Sequence, residues 1–100
     1  MKGSDTVKDR LVQKLTGELG YGNAAAKTTA GDLLGSGYED IRRAAELWVT
    51  SGTMTDIRCG GCSVRELVTG GRMTYPAALV YIDWLRTEPE KAAGALRAVM

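Results

Sequence analysis

Cys59-Gly60-Gly61-Cys62 is the one motif whose residue types and spacing suit chemistry. Two thiolates separated by two residues can share a metal, because a tight turn aims both sulfurs the same way. Zinc wants four ligands, and this chain has two cysteines and no histidine. Cys59 and Cys62 therefore make a metal site only if they are shared between two chains. A redox role needs an activated first cysteine, usually where a strand turns into a helix. Ser63 opens a helix here, but no strand is evident, so the simplest reading is two free thiols in a glycine-rich turn. Without histidine there is no His base and no Ser-His or Cys-His nucleophile. Neither G-x-x-x-x-G-K-[ST] nor a G-x-G-x-x-G after a strand is present, so the glycine pairs at 60–61 and 70–71 are not phosphate loops. The expectation is a protein that is not an enzyme and takes no cofactor.

A second constellation is acidic and aromatic. Glu39 and Asp40 stand beside Tyr38 at a helix start, with Asp32 just before. Acids at a helix N-terminus complement the macrodipole and need no other purpose. Their place next to the turn Gly35-Ser36-Gly37 also suits a small patch that docks on a basic groove of a partner, since tyrosine is enriched at interfaces. Asp32, Tyr38, Glu39 and Asp40 are the candidate partner-binding residues. A third pattern imitates a helix-turn-helix: residues 63–70 and 76–86 joined by GGRMTY, with Arg58, Arg65 and Arg72 nearby. A recognition helix must show polar side chains to base edges. The 76–86 segment shows Ala77, Ala78, Leu79, Val80, Ile82 and Leu85 instead.

Short helices separated by glycine must carry these residues. Val7, Leu11, Leu15 and Leu19 recur every four residues, behind Ser4 or Asp5 as a cap, and Gly20 and Gly22 stop that helix. Asn23 caps a second segment through Leu34, weakened by Thr28, Thr29 and Gly31. Ser36-Gly37-Tyr38-Glu39 reads as a capping box ahead of Ile41, Ala44, Ala45, Trp48 and Val49, closed by Gly52. Residues 53–62 are the least regular stretch. Ser63-Val64-Arg65-Glu66 is a second capping box, with Val64, Leu67 and Val68 as its apolar face. Pro76 suits the first turn of a helix that is apolar on most sides, with Asp83 and Arg86 as its polar edge. Thr87-Glu88-Pro89-Glu90 is a third capping box, before Ala92, Ala93, Leu96 and Val99. Trp48 and Trp84 fit apolar faces. No segment alternates long enough to make a strand. The predicted fold is all-α: one domain over residues 1–100, a bundle of five or six short helices around a central apolar helix 76–86.

Composition narrows the function. The 100 residues hold 13 Lys+Arg against 12 Asp+Glu, a net charge of +1. Binding to DNA or anionic lipid by charge alone normally requires a large basic excess, so neither direct nucleic-acid binding nor membrane attachment is expected. The polar start MKGSDTVKDR does not read as a secretory signal, and the longest apolar run, Ala77 to Ile82, is far short of a membrane span. The expected location is the cytoplasm, with both cysteines reduced.

Three stretches, SDTVKDRLVQKLTGELGYGN, YEDIRRAAELWVTSG and YIDWLRTEPEKAAGALRAVM, resemble a small phage-type protein. In length and overall character the chain is similar to the anti-CRISPR proteins directed at the type I-F system. That resemblance implies a non-enzymatic inhibitor in the cytoplasm of a bacterial host. Its partner would be the multi-subunit Cas protein–crRNA complex, met on the large subunit or on the backbone subunits, where it would block target DNA binding or hybridisation. Anti-CRISPR families share no common motif, so no residue's role carries over. Near-neutral charge argues against wholesale imitation of DNA and favours a steric block with local complementarity. The alternatives are a small phage or mobile-element transcription regulator that binds DNA, and a dimeric metal or thiol protein using Cys59 and Cys62.

Overall fold

In a computed structural model, the backbone is described for residues 6–59, 61–70 and 73–99, with side chains through Gly94. Six helices run in chain order as α1 (Val7–Leu19), α2 (Asn23–Leu34), α3 (Glu39–Ser51), α4 (Val64–Thr69), α5 (Tyr75–Thr87) and α6 (Pro89–Val99). Between α3 and α4 lie two paired two-residue strands, β1 (Arg58–Cys59) and β2 (Cys62–Ser63). The architecture is the all-α bundle that the helical spacing predicts, with one addition. Two residues are too few to show apolar alternation, which is why the hairpin left no trace in the pattern.

The central helix is as expected. On α5, Ala78, Leu79 and Ile82 are fully buried, and Tyr75, Val80 and Tyr81 nearly so. Helices α2, α3, α4 and α6 and strand β1 all pack against it. Thr74 caps it by accepting a hydrogen bond from the Ala77 amide at 3.3 Å, and Pro76 lies in its first turn, where a missing N–H costs nothing. The other side of the core comes from Leu11 and Leu15 of α1, Ala26, Ala30 and Leu33 of α2, and Ile41, Ala44 and Ala45 of α3. Through these residues α1, α2 and α3 pack against one another. Gly20 and Gly52 stop α1 and α3 at φ 71° and 74°, a left-handed conformation that glycine adopts without strain.

Trp48 is buried and meets the Tyr75 ring at a centroid separation of 5.8 Å, while the Lys14 ammonium lies 4.7 Å from its ring centroid. Trp84 is only half-buried and is covered from the side by Lys91 of α6, 4.7 Å from its ring centroid. The irregular stretch after α3 is tied down. Ile57 is buried, the Tyr75 hydroxyl donates to the Thr55 carbonyl at 2.8 Å, and Asp56 accepts from the Arg65 amide at 2.9 Å. Burial pushes the Tyr75 phenol up to about 12, against the smaller opposing pull of its hydrogen bond to Thr55.

Several expected caps are corrected. Thr6 caps α1, accepting from the Asp9 amide at 3.1 Å; Ser4 and Asp5 lie outside the described residues. Gly22 occupies the cap position of α2, and Asn23 is already helical. The box at Ser63 forms: Ser63 Oγ accepts from the Glu66 amide at 3.2 Å and donates to the Glu66 carboxylate at 3.2 Å. The box at Ser36 does not, because α3 starts at Glu39 and Tyr38 holds its cap position without a side-chain bond. Thr87 caps nothing either. It belongs to the last turn of α5 and donates back to the Asp83 carbonyl at 2.9 Å.

Leu79→Ala and Ile82→Ala are each expected to destabilise the fold by about 2–5 kcal/mol, the usual cost of emptying a filled core position. Chemical denaturation checks this, and wild-type stability in either variant would contradict a central α5.

Candidate partner-binding knuckle and cysteine hairpin

The turn between α2 and α3 is held from below by α5. Ser36 is 6 % exposed, and its hydroxyl donates to Asp83 Oδ1 at 2.8 Å while accepting from the Tyr38 amide at 3.2 Å. Its carbonyl accepts from Arg42 Nη1 at 2.6 Å. Ser36 thus ties the turn to a residue 47 positions away, rather than capping α3. A buried hydroxyl and a carboxylate on the edge of an apolar helix each satisfy the other, which removes the desolvation cost that either alone would incur.

A second tie lies beside the first. Arg86 grips Asp40 with two parallel bonds, Nη1 to Oδ1 at 2.9 Å and Nη2 to Oδ2 at 3.0 Å. Its guanidinium stands over the Tyr38 ring, 4.8 Å from the centroid. Asp40 also accepts from the Ile41 amide at 2.9 Å. The Arg86 hydrogen bonds are the main reason that the Asp40 carboxyl titrates below its ordinary 3.8; partial burial opposes them, and the Ile41 amide adds to them. The same pairing raises Arg86 above its ordinary value. Bidentate arginine–carboxylate geometry of this kind fixes orientation as well as distance.

The four expected patch residues therefore divide. Asp40 and Tyr38 are engaged with Arg86, and Tyr38 is half-buried. Asp32 and Glu39 are exposed on either side of the turn. The result is a firmly held knuckle, residues 35–38, flanked by two outward acids. Sequence reasoning saw Asp83 and Arg86 as the polar edge of α5 but assigned them no partners. The available signal was physical: two polar groups on a helix buried on most sides must each be paired.

Cys59 and Cys62 face each other across the hairpin, and Arg58 faces Ser63. Gly61, in the connection between them, has φ 89°, which a side chain would strain. Both thiols are free and half-buried, and Cys62 donates weakly to the Cys59 carbonyl at 3.4 Å. Arg58, Cys59, Gly61, Cys62 and Glu66 line a shallow pocket of about 190 Å³. Burial, then the neighbouring Cys59 and Glu66, push the Cys62 thiol up. Arg86 borders Cys59 as well as Asp40. Among the described residues, no group of three or more His, Cys, Asp or Glu side chains could hold a metal ion.

The supposed recognition helix, α5, commits Leu79, Val80 and Ile82 to the core and its two charged residues to Ser36 and Asp40. A largely apolar groove of about 380 Å³ lies between the 54–56 segment and α4, lined in part by Met54, which is 54 % exposed. Among the described residues, no helix is long and apolar enough to cross a membrane. Compared with protein-family models, curated proteins and solved structures, the chain matches none.

Because Asp40 titrates low in the folded state, the stability it contributes is complete above 3.8 and is lost as pH falls through its lowered value. Asp40→Asn should be less stable than the wild type at neutral pH, by up to about 1 kcal/mol for a partly exposed pair. The two proteins should converge in acid. Urea denaturation across a pH series reads this, and a gap that persists in strong acid would contradict the Asp40–Arg86 tie.

Proposed function

We propose that this protein acts by stoichiometric binding, as an anti-CRISPR inhibitor of the type I-F RNA-guided surveillance complex in the cytoplasm of a bacterial host. It would seat on the large subunit or the backbone subunits and sterically block target DNA binding or hybridisation. The observation that supports this best is the knuckle. Asp32 and Glu39 stand exposed at the helix ends that flank a turn whose conformation is already set by Ser36, Asp83, Asp40 and Arg86. A preformed surface loses little conformational entropy on binding, so more of its contact energy appears as affinity. Channels that guide DNA into such complexes are basic, and they hold the heteroduplex by its backbone. Two exposed acids beside a set turn suit that surface, speeding association and selecting orientation without the chain carrying a net negative charge.

The inhibitory step needs no chemistry from this chain. A wedge of 100 residues in the path of the duplex excludes it by volume. Steric block with local charge complementarity is consistent with 13 basic and 12 acidic residues, whereas global mimicry of DNA would need a strong acidic excess.

Asp32→Lys with Glu39→Lys should weaken capture by the purified type I-F complex and restore its target DNA binding, while leaving the melting temperature near wild type. Pull-down followed by a DNA-binding assay on the eluate measures both. Tight binding of the wild type to free duplex DNA, with the complex's target binding left intact, would favour the transcription-regulator reading and defeat this one.

A further inference from the structure

Facing residues of an antiparallel pair have Cα atoms about 4.5–5.5 Å apart. Disulfides span Cα separations of about 4.4–6.8 Å. Cys59 and Cys62 hold that facing register, on strands joined by only two glycines. Both thiols are partly accessible and unbridged, and they share the wall of one small pocket. The pair stands on a hairpin of two-residue strands rather than on a strand-to-helix turn, so it is the facing register that brings the two cysteines together. We propose that Cys59 and Cys62 are a reversible dithiol–disulfide pair, oxidised by low-molecular-weight disulfides of the glutathione type.

The surroundings set the order of attack. The Cys62 S–H donates to the Cys59 carbonyl at 3.4 Å, which occupies that thiol and leaves Cys59 as the first nucleophile. Cys62 sits among burial and the Glu66 carboxylate, both of which keep its proton on. The Cys59 thiolate attacks one sulfur of the external disulfide, whose S–S bond breaks. The first small thiolate leaves and takes up the proton that Cys59 gave to solvent. A mixed disulfide remains on Cys59. Cys62 then loses its proton to solvent and attacks the Cys59 sulfur, and the second small thiolate leaves and is protonated. Two protein thiols become one S–S bond, one external disulfide becomes two thiols, and protons balance. Such pairs in reducing compartments act as transient sensors rather than permanent staples.

The test equilibrates the reduced full-length chain with graded mixtures of reduced and oxidised glutathione, quenches with a maleimide, and counts labels by intact mass. The wild type should pass from two labels to none in a single transition, as a monomer with no glutathione retained. Cys59→Ser and Cys62→Ser should each hold one glutathione, because the resolving partner is gone. Cys62→Ser, which keeps Cys59, should acquire it at least several-fold faster. A wild type that keeps both thiols throughout, retains glutathione, or links into disulfide dimers would overturn the proposal. Faster modification of Cys59→Ser would overturn the order of attack.

Discussion

The arrangement depends on the polar edge of a helix that is otherwise core. α5 is enclosed by α2, α3, α4, α6 and β1, so Asp83 and Arg86 have few places to find partners. Asp83 takes the Ser36 hydroxyl; Arg86 takes the Asp40 carboxylate and covers the Tyr38 ring. Both ties converge on the same short turn. Among the described residues, no buried side-chain nitrogen or oxygen is left without a hydrogen-bond partner. That condition makes one packing far better than its neighbours, because a slip of α5 would strand two polar groups at once. Part of the cost of ordering the turn is thereby met within the fold rather than at the moment of binding.

Arg86 also joins the two features of interest. It stands between the knuckle, through Asp40 and Tyr38, and the cysteine hairpin, through Cys59. Guanidinium suits this position because it offers several donors in one plane and a face that stacks on an aromatic ring. A lysine would supply the charge but not both the fork and the stacking surface. Asp40 is the main counter-charge of Arg86, and Cys59 lies near the same guanidinium, so the hairpin and the knuckle share one side chain as a neighbour.

What was legible in the sequence was local. The spacing of Leu11 and Leu15, the apolar run around Leu79, Pro76 in a first turn, and the box from Ser63 to Glu66 each involve residues within a few positions of one another. Periodicity and caps report such short-range relations directly. At Ser36 and Asp40 the reading failed because the partner was remote. Ser36 has the right residue type for a cap, but Asp83, 47 positions on, claims its hydroxyl and α3 begins later. Thr87 follows the α-helical ladder back to Asp83 instead of opening α6. Asp40 reads as a dipole-complementing acid or as part of a docking patch, and only the fold shows its pairing with Arg86. The hairpin escaped because two residues per strand carry no alternation. The candidate site was therefore half visible: its residue types could be named, but not which of them were already spoken for.

The central claim is that the knuckle is set before any partner arrives. Amide hydrogen exchange of the isolated chain at Tyr38, Ile41 and Arg42 tests it most directly, since these amides are bonded to Ser36 Oγ, Asp40 Oδ1 and the Tyr38 carbonyl. The account predicts protection approaching that of the α3 interior, with loss at these positions in Arg86→Gln. Exchange in the wild type as fast as in an unstructured peptide would contradict it.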